Sequence, residues 1–154
     1  MCRLDELRVA LRAPAIDSVV HAVEITPLPQ APAIALGVIT VRGQVIPVVN
    51  LRQRFNLPAR DLVLADRFVI ARTARRRLAV IADAVDGVFE HPETGIARPR
   101  DILPGIAQVE GIVWREDGIV FIHDLERFLS LDEAASLDEA MARRGEDAEN
   151  SHAF

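Results

Sequence analysis

The segment 37–52 constrains the fold of this 154-residue chain more than any other part of the sequence. It holds two runs rich in β-branched residues, 38–41 and 45–49, which are separated by the dipeptide Arg42-Gly43. β-Branched residues favour strands, and glycine adopts a positive φ without steric cost, so the pattern predicts a β-hairpin that turns at Arg42-Gly43. Arg42 then lies at the tip of a rigid hairpin, a position that suits contact with a partner better than burial in a core.

Short strands separated by turns make up most of the remaining pattern. Pro47 has no N–H group to donate, so the second strand of the hairpin is predicted to be an edge strand or to be bulged there. An irregular connection is expected over the proline-containing residues 90–105. Few and short helices among many strands predict an all-β barrel architecture. The other predicted strands are 7–11, 66–71, 78–82 and 88–89, and a hairpin formed by 109–113 and 119–122.

Helical structure is predicted in three places. Apolar residues recur at helical spacing over residues 15–25, which predicts a short helix that runs into a strand around 23–25. Residues 51–57 predict about one turn of helix, and residues 125–142 predict a longer one. The polar tail, residues 143–154, is expected to fray.

Composition and charge exclude several classes of protein. Half of the residues are hydrophobic, so the chain can bury a core, and no apolar run is long enough to predict membrane insertion. Residues 124–154 hold 9 of the 23 acidic residues and only 3 of the 18 basic ones, which argues against a nucleic-acid partner. The one cysteine, Cys2, has no partner for an internal disulfide, and no signal-peptide pattern precedes the domain. These features predict a cytoplasmic protein.

Catalytic and metal chemistry find no support in the residue spacing, so we predict no enzymatic activity, no metal and no cofactor. His123-Asp124 is interpreted as a polar pair at a strand end, with Asp124 capping the next helix. Asp86, beside a glycine, is interpreted as a turn residue, whereas Asp83 is either buried and hydrogen-bonded or on an exposed face. The histidines that lack ligand spacing are His21, His91, His123 and His152.

The basic loop 72–77 contains four arginines. Because no aromatic residues are interleaved to stack on bases, it is interpreted as a solvated hairpin tip rather than a nucleic-acid site. An acidic protein surface remains open as its partner.

Four segments in order resemble the CheW family of chemotaxis adaptors. The hairpin segment 37–52 reads G-V-x-x-V-R-G-x-V-x-P-V-V-N-L-R, which is similar to the most distinctive segment of that family. The other three segments are 19–25, 78–88 and 119–129, so that the resemblance covers roughly residues 3–131.

The resemblance implies a mainly β fold of two packed five-stranded Src-homology-3-like barrels, with short helices and a C-terminal helix. It also implies one CheW-like domain over residues 1–142, whose two barrel subdomains divide near residue 60, with both chain ends returning to the first barrel.

The resemblance further implies a non-catalytic adaptor in bacterial chemotaxis signalling. Such a scaffold couples the cytoplasmic tip of a methyl-accepting chemoreceptor to the regulatory domain of a CheA-type histidine kinase, and self-association is a further expectation. By resemblance, receptor binding is assigned to Glu24, Gly37, Val41, Arg42 and Gly43. These residues also have structural interpretations: Arg42 as the partner of a nearby carboxylate, Glu24 as a solvent-facing strand residue, and the two glycines as turn residues.

Other functions remain open at this point. One is a CheW-like scaffold of a related motility or second-messenger pathway. Another is a self-associating barrel that binds peptides without a kinase partner. A small hydrolase would instead require a converging polar cluster in a deep pocket, which the residue spacing does not predict.

Overall fold

The computed structural model describes residues 1–5, 7–87, 109–115, 118–123 and 125–151. The predicted strand at 88–89 and the irregular connection over 90–105 lie outside these residues. The strands are β1 (Cys2–Leu4), β2 (Leu7–Ala10), β3 (Ile16–His21), β4 (Ala35–Val41), β5 (Gln44–Val49), β6 (Arg67–Arg72), β7 (Arg77–Ala82), β8 (Ala84–Val85), β9 (Val109–Arg115) and β10 (Gly118–His123). The helices are α1 (Leu51–Arg54), α2 (Leu131–Ser151) and short 3-10 helices at Ala13–Ala15 and Leu125–Arg127.

The strands form two five-stranded sheets, which confirms the prediction of a mainly β, Src-homology-3-like fold. The terminal sheet has the order β8-β1-β2-β10-β9, and the central sheet has the order β3-β6-β7-β5-β4. Neighbouring strands are antiparallel except for the pairs β2–β10 and β5–β7. Within the described residues, the ladders leave both sheets open rather than closing them into complete barrels.

The chain is not divided between the sheets near residue 60, which corrects the predicted boundary. Residues 16–82 supply every strand of the central sheet, and residue 60 lies in the loop between two of them, β5 and β6. Both ends of the chain contribute to the terminal sheet, as the return of the two ends to one barrel implied. The chain therefore passes between sheets before Ile16 and at Asp83.

The helix predicted within residues 15–25 is wrong. Residues 16–21 form β3, whose side chains alternate between half-buried and exposed, and which pairs with β6 from Ile16 to His21. The apolar spacing fitted a helix, but the β-branched Val19 and Val20 suit a strand, and pairing with β6 decides between the two. No strand forms at 23–25.

The hairpin of β4 and β5 confirms the predicted turn at Arg42-Gly43. Arg42 and Gly43 have φ values of 50° and 78°, the positive pair of a two-residue hairpin turn that follows the natural twist of the strands. Of the two alternatives predicted for Pro47, the edge strand is wrong, because β5 lies between β7 and β4. A bulge at Pro47 is wrong as well, because Pro47 pairs in register with Val38 and the irregularity of this ladder lies between Ala35 and Gly37. The ladder between β5 and β7 begins at Val48, so Pro47 lies just outside it and needs no N–H there.

Gly37 allows another segment of the chain to approach β4. Thr26 and Val38 form an isolated antiparallel bridge with N–H···O distances of 2.9 and 2.8 Å. Gly37 has a φ of +148°, and a Cβ atom added to it would lie 2.3 Å from the carbonyl oxygen of Thr26. A side chain at this position is therefore incompatible with the bridge.

The helices differ from the predicted bounds. α1 begins after Asn50, whose side chain accepts a hydrogen bond from the N–H of Gln53, and it ends at Arg54 rather than continuing to residue 57. In place of one helix over 125–142, a 3-10 turn is followed by α2 from Leu131. α2 begins where Ser130 and Glu133 form a reciprocal capping box, and it continues through Ser151, beyond the predicted start of fraying.

The main hydrophobic core joins the two sheets and both α-helices. Its members come from the terminal sheet, the central sheet, α1 and α2, so burial in this cluster stabilises all four together. Two smaller clusters pack on the other faces of the sheets. The largest fully buried side chains of the main cluster are Leu4, Ile34, Leu51, Leu78, Phe128 and Leu137.

We predict that Gly37→Ala lowers the free energy of unfolding by about 2 kcal/mol, because it combines a strained positive φ with a backbone clash. Gly145→Ala is the matched control: this glycine lies in α2 with open space around it, and the same change should raise the free energy of unfolding by about 0.5–1 kcal/mol. Urea denaturation measures both. Equal effects of the two substitutions would contradict the close approach at Gly37.

Candidate protein-binding surface

The five residues assigned to receptor binding lie along β4 and form two groups. Val41 ends the strand and Arg42-Gly43 form its turn, whereas Gly37 lies near the start of the strand. Glu24 belongs to the segment that reaches β4 through the Thr26 bridge. At about 3.3 Å per residue, Gly37 and Arg42 are separated by roughly 17 Å along the strand. β4 is an edge strand of the central sheet, and the Thr26 bridge pairs with its outer edge at Val38.

Arg42 is exposed and faces a cavity at the hairpin tip. Within the described residues, no ion pair joins it to a carboxylate, so the alternative of a paired hairpin arginine is not what the structure contains. The acidic residue in the lining of this cavity, Asp17, instead pairs with Arg77, whose Nε lies 2.7 Å from its carboxylate. The cavity has a volume of about 410 Å³ and is lined by Asp17, Ser18, Val41, Arg42, Gln44, Ile46, Ile70 and Arg77.

The other assigned residues differ in their accessibility. Glu24 and Gly43 are exposed, Val41 is half-buried and Gly37 is buried. Glu24 is exposed, as its interpretation as a solvent-facing strand residue predicted, but it lies outside the strands. Gly37 has a structural task, the bridge to Thr26, that is separate from any contact with a partner.

A buried ion pair at the junction of the two sheets was missed by sequence reasoning. Arg52, in α1, is 9% exposed, and its Nη2 lies 2.8 Å from Asp83 and 2.9 Å from Asp5. Asp83 is the residue at which the chain leaves the central sheet, and Asp5 lies in the turn between β1 and β2. The guanidinium therefore joins α1 to both sheets. Arg52 closes the matched segment N-L-R, which was the available signal.

The loop before β6 is held by an extension of this network. Arg60 donates to Asp66 at 2.5 Å and also pairs with Asp83. Asp66 is only 1% exposed and also accepts the N–H of Val63 at 3.0 Å. These contacts fix a loop whose apolar tip, Leu64, is 91% exposed.

The network shifts the pKa values of its carboxylates. Burial alone would raise the pKa of Asp83, but the backbone N–H of Asp5 and the guanidinium groups of Arg52 and Arg60 outweigh it and lower this pKa. Hydrogen bonding to Arg52 lowers the pKa of Asp5 as well. Of the two alternatives for Asp83, a hydrogen-bonded carboxylate or one on an exposed face, the structure contains the hydrogen-bonded one. Asp86 forms a separate ion pair with Arg3 at 2.9 Å.

The arginine loop 72–77 is the tip of the β6–β7 hairpin, and Arg72, Ala74 and Arg75 are exposed, which confirms that part of the interpretation. Its side chains are also paired within the chain, which the interpretation did not include. Arg75 and Arg76 reach Asp138 of α2 at 3.3 and 2.5 Å. The backbone N–H of Ala74 donates to Glu126 at 2.8 Å. The loop is thus docked on the acidic C-terminal part of the same chain.

His123 ends β10, as predicted, and is buried against aromatic rings. Its ring centroid lies 5.8 Å from that of Phe55 and 5.3 Å from that of Phe128. Asp124, its proposed capping partner, lies outside the described residues. In the part of the chain that the structure describes, no group of three or more His, Cys, Asp or Glu side chains could hold a metal ion.

A second exposed surface lies on the terminal sheet. Trp114 and Ile119 are directly opposite each other on β9 and β10 and are 53% and 46% exposed. β9 is an edge strand, and exposed apolar residues on an edge are typical of protein contact sites. No helix among the described residues is long and apolar enough to span a bilayer.

The two open sheets joined through one core define a Src-homology-3-like β domain with exposed edge strands. The CheW-like domain family model matches residues 1–133, and the chain therefore belongs to this family.

Individual relatives agree with this assignment. The chain is 26% identical over 128 residues to the chemotaxis protein CheW of Treponema pallidum, which covers 79% of this chain and 75% of that protein. It is 30% identical over 94 residues to the chemotaxis protein CheW of Rhizobium meliloti, or 56% of this chain and 61% of that one. The crystal structure of the scaffolding protein TtCheW from Thermoanaerobacter tengcongensis superposes with a TM-score of 0.77 at 29% identity, covering 86% of each chain.

We predict that Asp83→Asn lowers the free energy of unfolding by about 1–2 kcal/mol. Breaking a fully buried ion pair costs roughly 3–5 kcal/mol. The expected loss here is smaller, because Arg52 still pairs with Asp5 in the variant and the Asp83 side chain is 22% exposed. Asp86→Asn is the control, since its partner Arg3 is an exposed arginine, and it should cost at most about 0.5 kcal/mol. Equal losses in chemical denaturation would contradict a central role for Asp83.

We also predict an acid dependence of stability that Asp83→Asn reduces. The folded-state pKa of Asp83 is lowered from 3.8, so its contribution is present above that value and is lost as the pH falls through the folded pKa. Unfolding free energies measured between about pH 5 and pH 2 should therefore fall more steeply for the wild type than for the variant. Parallel curves would exclude Asp83 as a source of the acid sensitivity.

Proposed function

We propose that this protein is a non-catalytic adaptor that couples chemoreceptors to a CheA-type histidine kinase. The observation that carries the proposal is the family match over residues 1–133, since that match covers both sheets and both exposed surfaces. An adaptor needs two separate contact sites, because one bound partner must leave the other site free. The chain offers one surface along β4 and a second at Trp114 and Ile119.

The surface along β4 suits the receptor arm. In our proposal, the helical tip of a chemoreceptor buries apolar side chains near Val41, while Arg42 and Glu24 fix its orientation through opposite charges. Support comes from the exposure of both charged residues and from the rigid turn that holds Arg42. A charge that is already ordered and unpaired loses little side-chain entropy and breaks no internal contact on binding.

The surface at Trp114 and Ile119 suits a like-to-like contact. A kinase regulatory domain of the same fold presents a similar sheet edge, and two exposed apolar edges bury each other's surface. The same surface would serve self-association, which is the alternative function that this observation favours.

We predict that Arg42→Ala weakens binding of a receptor cytoplasmic fragment by at least about tenfold and leaves binding of the kinase regulatory domain unchanged. Arg42→Lys, which keeps the charge, should recover part of the loss, and Glu24→Ala should weaken only the receptor arm. Arg143→Ala, at an exposed site on α2, is the control. Titration by isothermal calorimetry, with folding checked by circular dichroism, measures each arm.

The outcomes separate the candidate functions. Binding of both partners, with the substitutions acting on the receptor arm, supports the coupling proposal. Binding of neither partner, together with a stable dimer in analytical ultracentrifugation, would overturn it in favour of a self-associating module. Binding of the kinase domain alone would point to a scaffold for a different receptor in a related motility or second-messenger pathway.

A further inference from the structure

The C-terminal helix α2 occupies a groove whose walls belong to the rest of the domain. Ala134, Leu137 and Ala140 recur every three residues along one face of α2, and all three are buried. Leu137 and Ala140 join the same core cluster as Leu78 of the central sheet and Phe128, which precedes α2. The family match ends at residue 133, so the groove lies within the matched domain while most of α2 lies beyond the match.

Charged residues clamp α2 at the rim of this groove. Asp138 pairs with Arg75 and Arg76 of the arginine loop, and Glu133 pairs with Arg54 of α1. The Arg54 guanidinium also lies over the Phe128 ring, 5.3 Å from its centroid. The groove therefore presents a row of arginines to acidic side chains spaced along one helix.

The fit of α2 in the groove is incomplete. A cavity of about 130 Å³ remains between the arginine loop and α2, and Leu78, Leu129 and Ala134 are among its lining residues. Within the described side chains of α2, only one large apolar residue, Leu137, is fully buried. A helix with a larger apolar residue at the place of Ala134 would fill the groove better.

We propose that this groove is a docking site for an acidic amphipathic helix of a partner protein, and that α2 covers it as an exchangeable helix of the same chain. The features of α2 define the partner: an apolar strip that recurs about once per turn, with acidic residues toward Arg54 and the arginine loop. Occupancy by α2 reduces the apparent affinity for the partner helix to its intrinsic value multiplied by the fraction of time the groove is open. This inference is independent of receptor binding at Arg42.

The test uses the full chain and a fluorescent peptide of residues 129–151 that carries Ala134→Leu as the probe. Asp138→Arg in the chain places a third positive charge beside Arg75 and Arg76 and should loosen α2. We predict that the peptide binds this variant at least about tenfold more tightly than the wild type in fluorescence anisotropy. Glu139→Arg makes the same charge change one residue along at an exposed site and should leave the affinity unchanged.

Two further measurements keep the test decisive. Amide hydrogen exchange over α2 should be faster in Asp138→Arg than in Glu139→Arg, and a peptide that itself carries Asp138→Arg should bind more weakly to every chain. If Asp138→Arg does not fold, Asp138→Ala replaces it with the same expected order of affinities. Absence of peptide binding to a folded Asp138 variant, or equal binding to the Asp138 and Glu139 variants, would overturn the proposal and make α2 a fixed part of the fold.

Discussion

The ion pair between Arg52 and Asp83 is the contact on which the arrangement of the two sheets depends. Asp83 lies where the chain crosses from the central to the terminal sheet, and Arg52, in the single turn of α1, pairs with it. Burying a guanidinium is costly unless several acceptors surround it, and here Asp5 and the carbonyl of Pro58 complete the set. The chain must therefore bring the β1–β2 turn, α1 and the crossing point together before this charge is satisfied, which specifies one packing of the sheets.

Ion pairs between arginines and carboxylates also join other parts of this arginine-rich, acidic chain. All 18 basic residues are arginine, and their forked guanidinium groups suit bidentate pairing with carboxylates. Asp17 holds Arg72 and Arg77, Asp138 holds Arg75 and Arg76, and Glu133 holds Arg54. The arginines of the loop 72–77, which the sequence suggested as a solvated hairpin tip, are therefore paired with acidic residues of the chain itself. Arg42 differs because no carboxylate among the described residues pairs with it: Asp17, which lines the same cavity, is paired with Arg72 and Arg77. Arg42 therefore remains available to a partner.

Local chemistry determined part of the candidate site. The dipeptide Arg42-Gly43 between two β-branched runs was sufficient to predict the turn, since few dipeptides accept positive φ at both positions. The proximity of Glu24 to β4 could not be predicted in this way. It depends on the bridge between Thr26 and Val38 and on the absence of a side chain at Gly37, residues that are distant from Glu24 and Thr26 in the sequence. The apolar spacing over residues 16–21 predicted a helix, but these residues form a strand because they pair with β6.

The sequence by itself determined the strand-rich class, the hairpins, the positions of most strands and, through its motifs, the family. These features follow from side-chain branching, glycine and proline geometry and alternation, all of which act over a few residues. Only the tertiary structure decided that residues 16–82 form one sheet, that Arg52 joins Asp5 and Asp83, and that α2 covers the arginine loop. Such contacts join residues 31 to 63 positions apart, and their energy depends on burial and on mutual orientation, neither of which is encoded in a local pattern.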